Sequence, residues 1–83
     1  MADTRSALVV DDERDIRELL VMALGRMGLR CDTAASLIEA RNQLANTTYD
    51  LCLTDMRLPD GSGIELVTEI STRYPNTPVA MIT

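Results

Sequence analysis

Ala7-Leu8-Val9-Val10-Asp11-Asp12 decides the fold: four apolar residues run without interruption and stop at two acids. A short, continuous, Val-rich run of this kind reads as a strand buried on both faces, as strands of a parallel sheet are. A second run, Leu51-Cys52-Leu53-Thr54, ends on Asp55. If the two are neighbouring parallel strands, Asp11, Asp12 and Asp55 meet at one edge of the sheet, where open α/β folds place their ligand crevice. Carboxylates that close repel one another and require a cation or a shared proton. Mg²⁺ suits such a site, because it is a hard ion that takes one or two carboxylates and leaves room for waters and phosphate oxygens. Phosphoryl chemistry is the leading expectation.

Outward from these runs, elements alternate. Ile16, Leu19, Leu20, Ala23, Leu24 and Met27 recur at offsets of three and four, predicting a helix from about Glu13 to Met27 that Gly28 ends. Leu29–Ala34 predicts a half-exposed edge strand, with Cys31 and Thr33 alternating against Arg30 and Asp32. Ser36-Leu37-Ile38-Glu39 fits a capping box opening a second helix whose apolar face uses Leu37, Ala40 and Leu44. Tyr49–Asp55 is the third strand, and Leu58-Pro59-Asp60-Gly61-Ser62-Gly63 is a loop. A third helix follows from about Ser62 to Arg73, burying Ile64, Leu66, Val67 and Ile70, and Val79–Thr83 is a fourth strand. The order βαβαβαβ implies a parallel α/β sheet with right-handed crossovers.

Composition narrows the function. With 83 residues and a net charge of −5, the chain is one small acidic domain at most. Its surface repels a phosphate backbone, so this segment is expected not to contact nucleic acid directly. Phe and Trp are absent, leaving two Tyr as the only aromatics and no stacking platform for bases. No apolar stretch approaches a signal or membrane span, so no membrane partner and a cytoplasmic address are expected. Cys31 and Cys52 fall on strands separated by the first strand, roughly 9.5 Å apart and beyond the ~7 Å Cα reach of a disulfide. Both are read as buried, reduced core residues. Zinc is not expected, since the chain has no His and no closely spaced Cys pair.

Val9-Val10-Asp11-Asp12-Glu13, then Leu53-Thr54-Asp55-Met56-Arg57-Leu58-Pro59-Asp60-Gly61-Ser62-Gly63, then Pro78-Val79-Ala80-Met81-Ile82-Thr83 resemble, in order and spacing, the receiver domain of two-component response regulators. The wording is most similar to NtrC-class regulators of type IV pilus expression. The resemblance implies a flavodoxin-like (CheY-like) sheet with helices on both faces and strand order 2-1-3-4. Asp55 becomes the phosphoacceptor, served by a sensor histidine kinase. Asp11, Asp12 and Asp55, with the main-chain carbonyl of Arg57, become the Mg²⁺ ligands. Thr83 matches the hydroxyl that hydrogen-bonds the phosphoryl group and acts as a switch, while Pro59 and Gly63 shape the loop after Asp55. A signalling module rather than an enzyme in its own right is implied, attached to transcription-activating output domains: a sigma-54 ATPase and a helix-turn-helix DNA-binding domain.

The resemblance departs from the family at one residue type. Receiver domains carry a lysine on a fifth strand, whereas all eight basic residues here are Arg. Residues 1–83 correspond to an incomplete receiver, without the fourth helix, fifth strand and fifth helix. Two expectations follow: phosphotransfer by these residues alone is weak or absent, and the exposed fourth strand drives homo-oligomer formation. An inert structural or oligomerising piece is the alternative of another class. A Mg²⁺-dependent phosphohydrolase of the haloacid dehalogenase type is more distant, since it requires an acid two residues after Asp55, where Arg57 stands.

Overall fold

The computed structural model describes residues 5–82. Its elements, in chain order, are β1 (Ser6–Val10), α1 (Arg14–Arg26), β2 (Arg30–Ala34), α2 (Leu37–Asn46), β3 (Leu51–Thr54), β4 (Arg57–Leu58), β5 (Gly61–Ser62), α3 (Gly63–Arg73) and β6 (Val79–Met81). Four strands form a parallel sheet in the order β2-β1-β3-β6, the expected 2-1-3-4 with β6 as the fourth. The central strand, β1, is buried along its whole length, as an uninterrupted apolar run requires.

Successive side chains of a strand point to opposite faces, so each strand feeds two cores. Leu8, Val10 and Cys52 join Leu37, Ala40 and Leu44 of α2 and Leu66 and Ile70 of α3 on one face. Ala7 and Val9 meet Leu24 of α1 on the other, with Leu20, Leu51 and Leu53 partly buried beside them. Helices therefore cover both faces. Tyr49, buried just before β3, donates its hydroxyl to Asp32 at 2.7 Å. Burial, together with that bond, pushes the Tyr49 phenol up to about 12.

Several local expectations are corrected. The segment after Asp55 is not an open loop: β4 and β5 pair antiparallel as a two-residue-per-arm hairpin with Pro59 and Asp60 at its tip. Ser36 does cap α2, accepting from the Glu39 N–H at 3.1 Å, but the Glu39 carboxylate accepts from Ala35 instead of Ser36. The complete capping box lies at α3, between Ser62 and Glu65. Ile64, expected to be buried, is 55% exposed, because it lies in the first turn of α3 on the side away from the sheet. Leu19 and Met27 of the α1 stripe are exposed too. Cys52 is buried and Cys31 only half-buried, both as free thiols. On β2, Thr33 is exposed while its neighbour Asp32 is half-buried, since Asp32 turns toward the Tyr49 hydroxyl. Among the described residues no helix is long and apolar enough to cross a membrane.

Candidate functional site

Register builds the acidic edge. Val10 lies opposite Ala34 on one side and Thr54 on the other, so the chain leaves β1 and β3 at the same level. The ladder continues one step further: Asp11 N–H donates to Ala34 O at 3.0 Å and Asp55 N–H to Val10 O at 2.9 Å. Asp11 and Asp55 are held side by side by backbone bonds before their side chains do anything.

Asp11, Asp12 and Asp55 each bring a carboxylate oxygen within 4.8 Å of the others. Asp11 is buried, Asp55 half-buried and Asp12 exposed, a gradient from floor to rim. The Asp11 carboxylate accepts the Glu13 N–H at 2.8 Å, an Asx-type turn that carries the chain into α1. The donor set is all oxygen and anionic, which fits a hard divalent cation and not a soft one. At bond lengths of about 2.1 Å, oxygens on one octahedral ion stand about 3.0 or about 4.2 Å apart. The observed span, up to 4.8 Å, is close to the wider of these separations. A cleft of about 340 Å³ opens beside the acids, lined by Asp11, Glu13, Ile16, Leu19, Leu20, Asp55 and Ile82.

Gly63 makes the acceptor loop possible. An added Cβ there would strike the Asp55 carbonyl oxygen, so only glycine lets α3 begin against the backbone of Asp55. The Gly63 N–H donates to Met56 O at 2.7 Å and closes the excursion on itself. Beneath it, the buried Thr54 hydroxyl donates to the same Asp55 carbonyl at 3.0 Å.

The family over residues 7–83 is that of the response regulator receiver domain. This chain belongs to it. The receiver is 62% identical over 79 residues to the response regulator protein PilR of Pseudomonas aeruginosa, covering 95% of the chain and 18% of PilR. It is 40% identical over 75 residues to the DNA-binding transcriptional regulator NtrC of Escherichia coli K12, covering 90% of the chain and 16% of NtrC. Among solved structures it resembles the response regulator TrrA of Thermotoga maritima in complex with Mg²⁺ and BeF: TM-score 0.85, 37% identity, 90% of this chain and 65% of that one. It is thus a two-component receiver domain of the PilR and NtrC type, with the CheY-like fold.

Of the residues expected at the receiver's site, Asp11, Asp12 and Asp55 come together. Arg57 opens β4 two residues beyond Asp55 with its side chain exposed, and Pro59 sits at the hairpin tip. Thr83 lies outside the described residues. Arg17 is one that sequence reasoning passed over: its guanidinium donates to the Asp11 carbonyl at 2.8 Å, fixing the acid-bearing turn to α1. In the sequence it looked like any cation on a solvated helix face.

Proposed function

We propose that Asp55 accepts a phosphoryl group from a phosphohistidine of a sensor histidine kinase, in a site where Asp11, Asp12, Asp55 and the Arg57 main-chain carbonyl hold Mg²⁺. The observation that carries this reading is the convergence of three carboxylates at one end of the parallel sheet. An Asp55 carboxylate oxygen forms the new P–O bond, the P–N bond breaks, and the electron pair leaves on the imidazole nitrogen, giving an acyl phosphate. Bound Mg²⁺ would supply charge neutralisation for the phosphoryl oxygens. Asp11 and Asp12 hold that charge in place, while the bonds from Thr54 and Gly63 keep the acceptor's backbone from moving as the phosphorus arrives. Thr83 is proposed to hydrogen-bond the phosphoryl group and to relay its presence to an attached output domain that activates transcription in the cytoplasm.

With no lysine in the 83 residues to pair with incoming phosphate, we expect little acyl phosphate turnover by these residues alone. We also propose that they associate through β6, an edge strand of the sheet whose Ala80 and Met81 are exposed. Light scattering that found only monomer at micromolar concentration would remove that second proposal.

The test is to phosphorylate the protein carrying this receiver with its kinase, trap the acyl phosphate with borohydride and map the label by mass spectrometry. Label is expected on Asp55 and to vanish with chelation of Mg²⁺ or in Asp55→Asn. Label on another residue, or labelling unchanged in EDTA, would overturn the assignment.

A further inference from the structure

The hairpin after Asp55 is closed on itself. β4 pairs with β5, and Gly63 N–H returns to Met56 O. Besides the Ser62–Glu65 cap that joins its base to α3, two contacts tie it to the rest of the described residues. The Leu58 side chain is buried in the core shared with α2 and α3 and sets the depth of the hairpin. The second is at the tip, where the Asp60 carboxylate accepts the Leu37 N–H at 2.7 Å and the Ile38 N–H at 3.0 Å. These amides are among the otherwise unsatisfied donors at the start of α2. Beside them, a Cβ added at Gly61 would strike the Leu37 side chain, so the tip lies directly on the first turn of that helix.

Leu58 and the Ser62–Glu65 cap fix the hairpin at its base and leave rotation of its tip open. A bidentate carboxylate some way out along the hairpin removes that rotation. The lever is short: Asp60 lies three residues from Arg57 and five from Asp55. Ser36 already caps α2 from within its own sequence, through the Glu39 N–H. Asp60 is therefore not needed merely to begin the helix, and what its bonds add is a fixed direction for the hairpin.

We infer that Asp60 is a positioning residue: by docking the hairpin tip on the N-terminus of α2, it holds the Met56–Arg57 backbone where the acidic site requires it. The metal arm of the test rests on the reading of the acids given above, and the exchange arm does not. Asp60→Ala, Asp60→Asn and Ser36→Ala are compared in the protein carrying this receiver. Amide hydrogen exchange without metal is expected to quicken at least tenfold across residues 56–62 in Asp60→Ala. In Ser36→Ala, which loosens the same helix from its other cap, it should stay at the wild-type rate. Titration with Mn²⁺, followed by its free EPR signal, is expected to give roughly tenfold weaker binding for Asp60→Ala and unchanged binding for Ser36→Ala. Asp60→Asn, able to accept from one amide, should recover most of the loss in both measurements and covers the case in which Asp60→Ala folds poorly. Wild-type exchange over 56–62 in Asp60→Ala, or equal loosening by Ser36→Ala, overturns the inference. Quickened exchange in a protein whose wild type takes up no Mn²⁺ upholds the tether and overturns the metal reading instead.

Discussion

On one face of the sheet α2 and α3 bury Leu8, Val10, Cys52, Leu66 and Ile70 in a single core; on the other, α1 buries Ala7, Val9 and Leu24 while Leu20, Leu51 and Leu53 stay partly open. The strands are the same. Among the described residues two helices reach the first side and one the second, and the first side holds more of their buried apolar side chains. A parallel strand advertises apolar residues equally to both faces, so the depth of cover has to be read from helices rather than from strands.

The largest effect should come from the deeper face. Ile70→Ala, which empties a fully buried position, is expected to cost about 3 kcal/mol in urea unfolding, whereas Leu20→Ala on the α1 face should cost about 1 kcal/mol. Equal losses would break the comparison.

Alkali offers a second separation, since the two groups held furthest from their ordinary values both sit on the deeper face. Burial pushes the Cys52 thiol from 9.0 up to about 12, and the Tyr49 phenol rises from 10.0 to about 12. In both cases folding favours the protonated form. Stability is then fully present below pH 9 and falls as pH climbs toward 12, because the unfolded chain releases its protons first. A loss on the order of 2 kcal/mol over that interval is expected from melting curves, and Cys52→Ala should flatten the decline. A decline as steep in Cys52→Ala as in wild type would assign the effect elsewhere.

The smallest effect lies outside both cores, where Arg41 of α2 and Glu69 of α3 form an ion pair at 2.6 Å. Hydrogen bonding to Arg41 holds the Glu69 carboxyl below its ordinary value. Its contribution is therefore present above pH 4.5 and lost as pH falls below it. Being partly solvated, the pair should matter less than either core change. Glu69→Gln is expected to lower the melting temperature slightly at pH 7 and not at all at pH 3. A shift that persisted at pH 3 would point to packing rather than charge.

Much of this molecule is legible in its sequence. The meeting of Asp11, Asp12 and Asp55 follows from two apolar runs that each end in acid, because parallel neighbours in register put their next residues together, while the strand order came with the family resemblance. Leu37, Ala40 and Leu44 were legible for the same reason: a three- and four-residue spacing allows only one inward face. The hairpin at 57–62 was hidden because Pro and Gly signal a turn but not whether its arms pair. The exposure of Ile64 was hidden because an apolar residue in a first turn fits the helical period without facing the sheet. Asp60 and Arg17 were hidden because their partners are backbone groups, and those leave no mark in a sequence.

The shared level of Val10 and Thr54 has a consequence for how this chain tolerates length changes. Deleting one residue from β1 or β3 would draw one acid back along the sheet by about 3.3 Å and would also exchange the strand's two faces, since strand side chains alternate with a period of two. Packing and site would fail in the same event. Insertions in the turn after α2, by contrast, alter neither quantity. A library of single-residue deletions scored for folding and for metal uptake should therefore lose both together in β1 and β3, and keep both in the turn after α2.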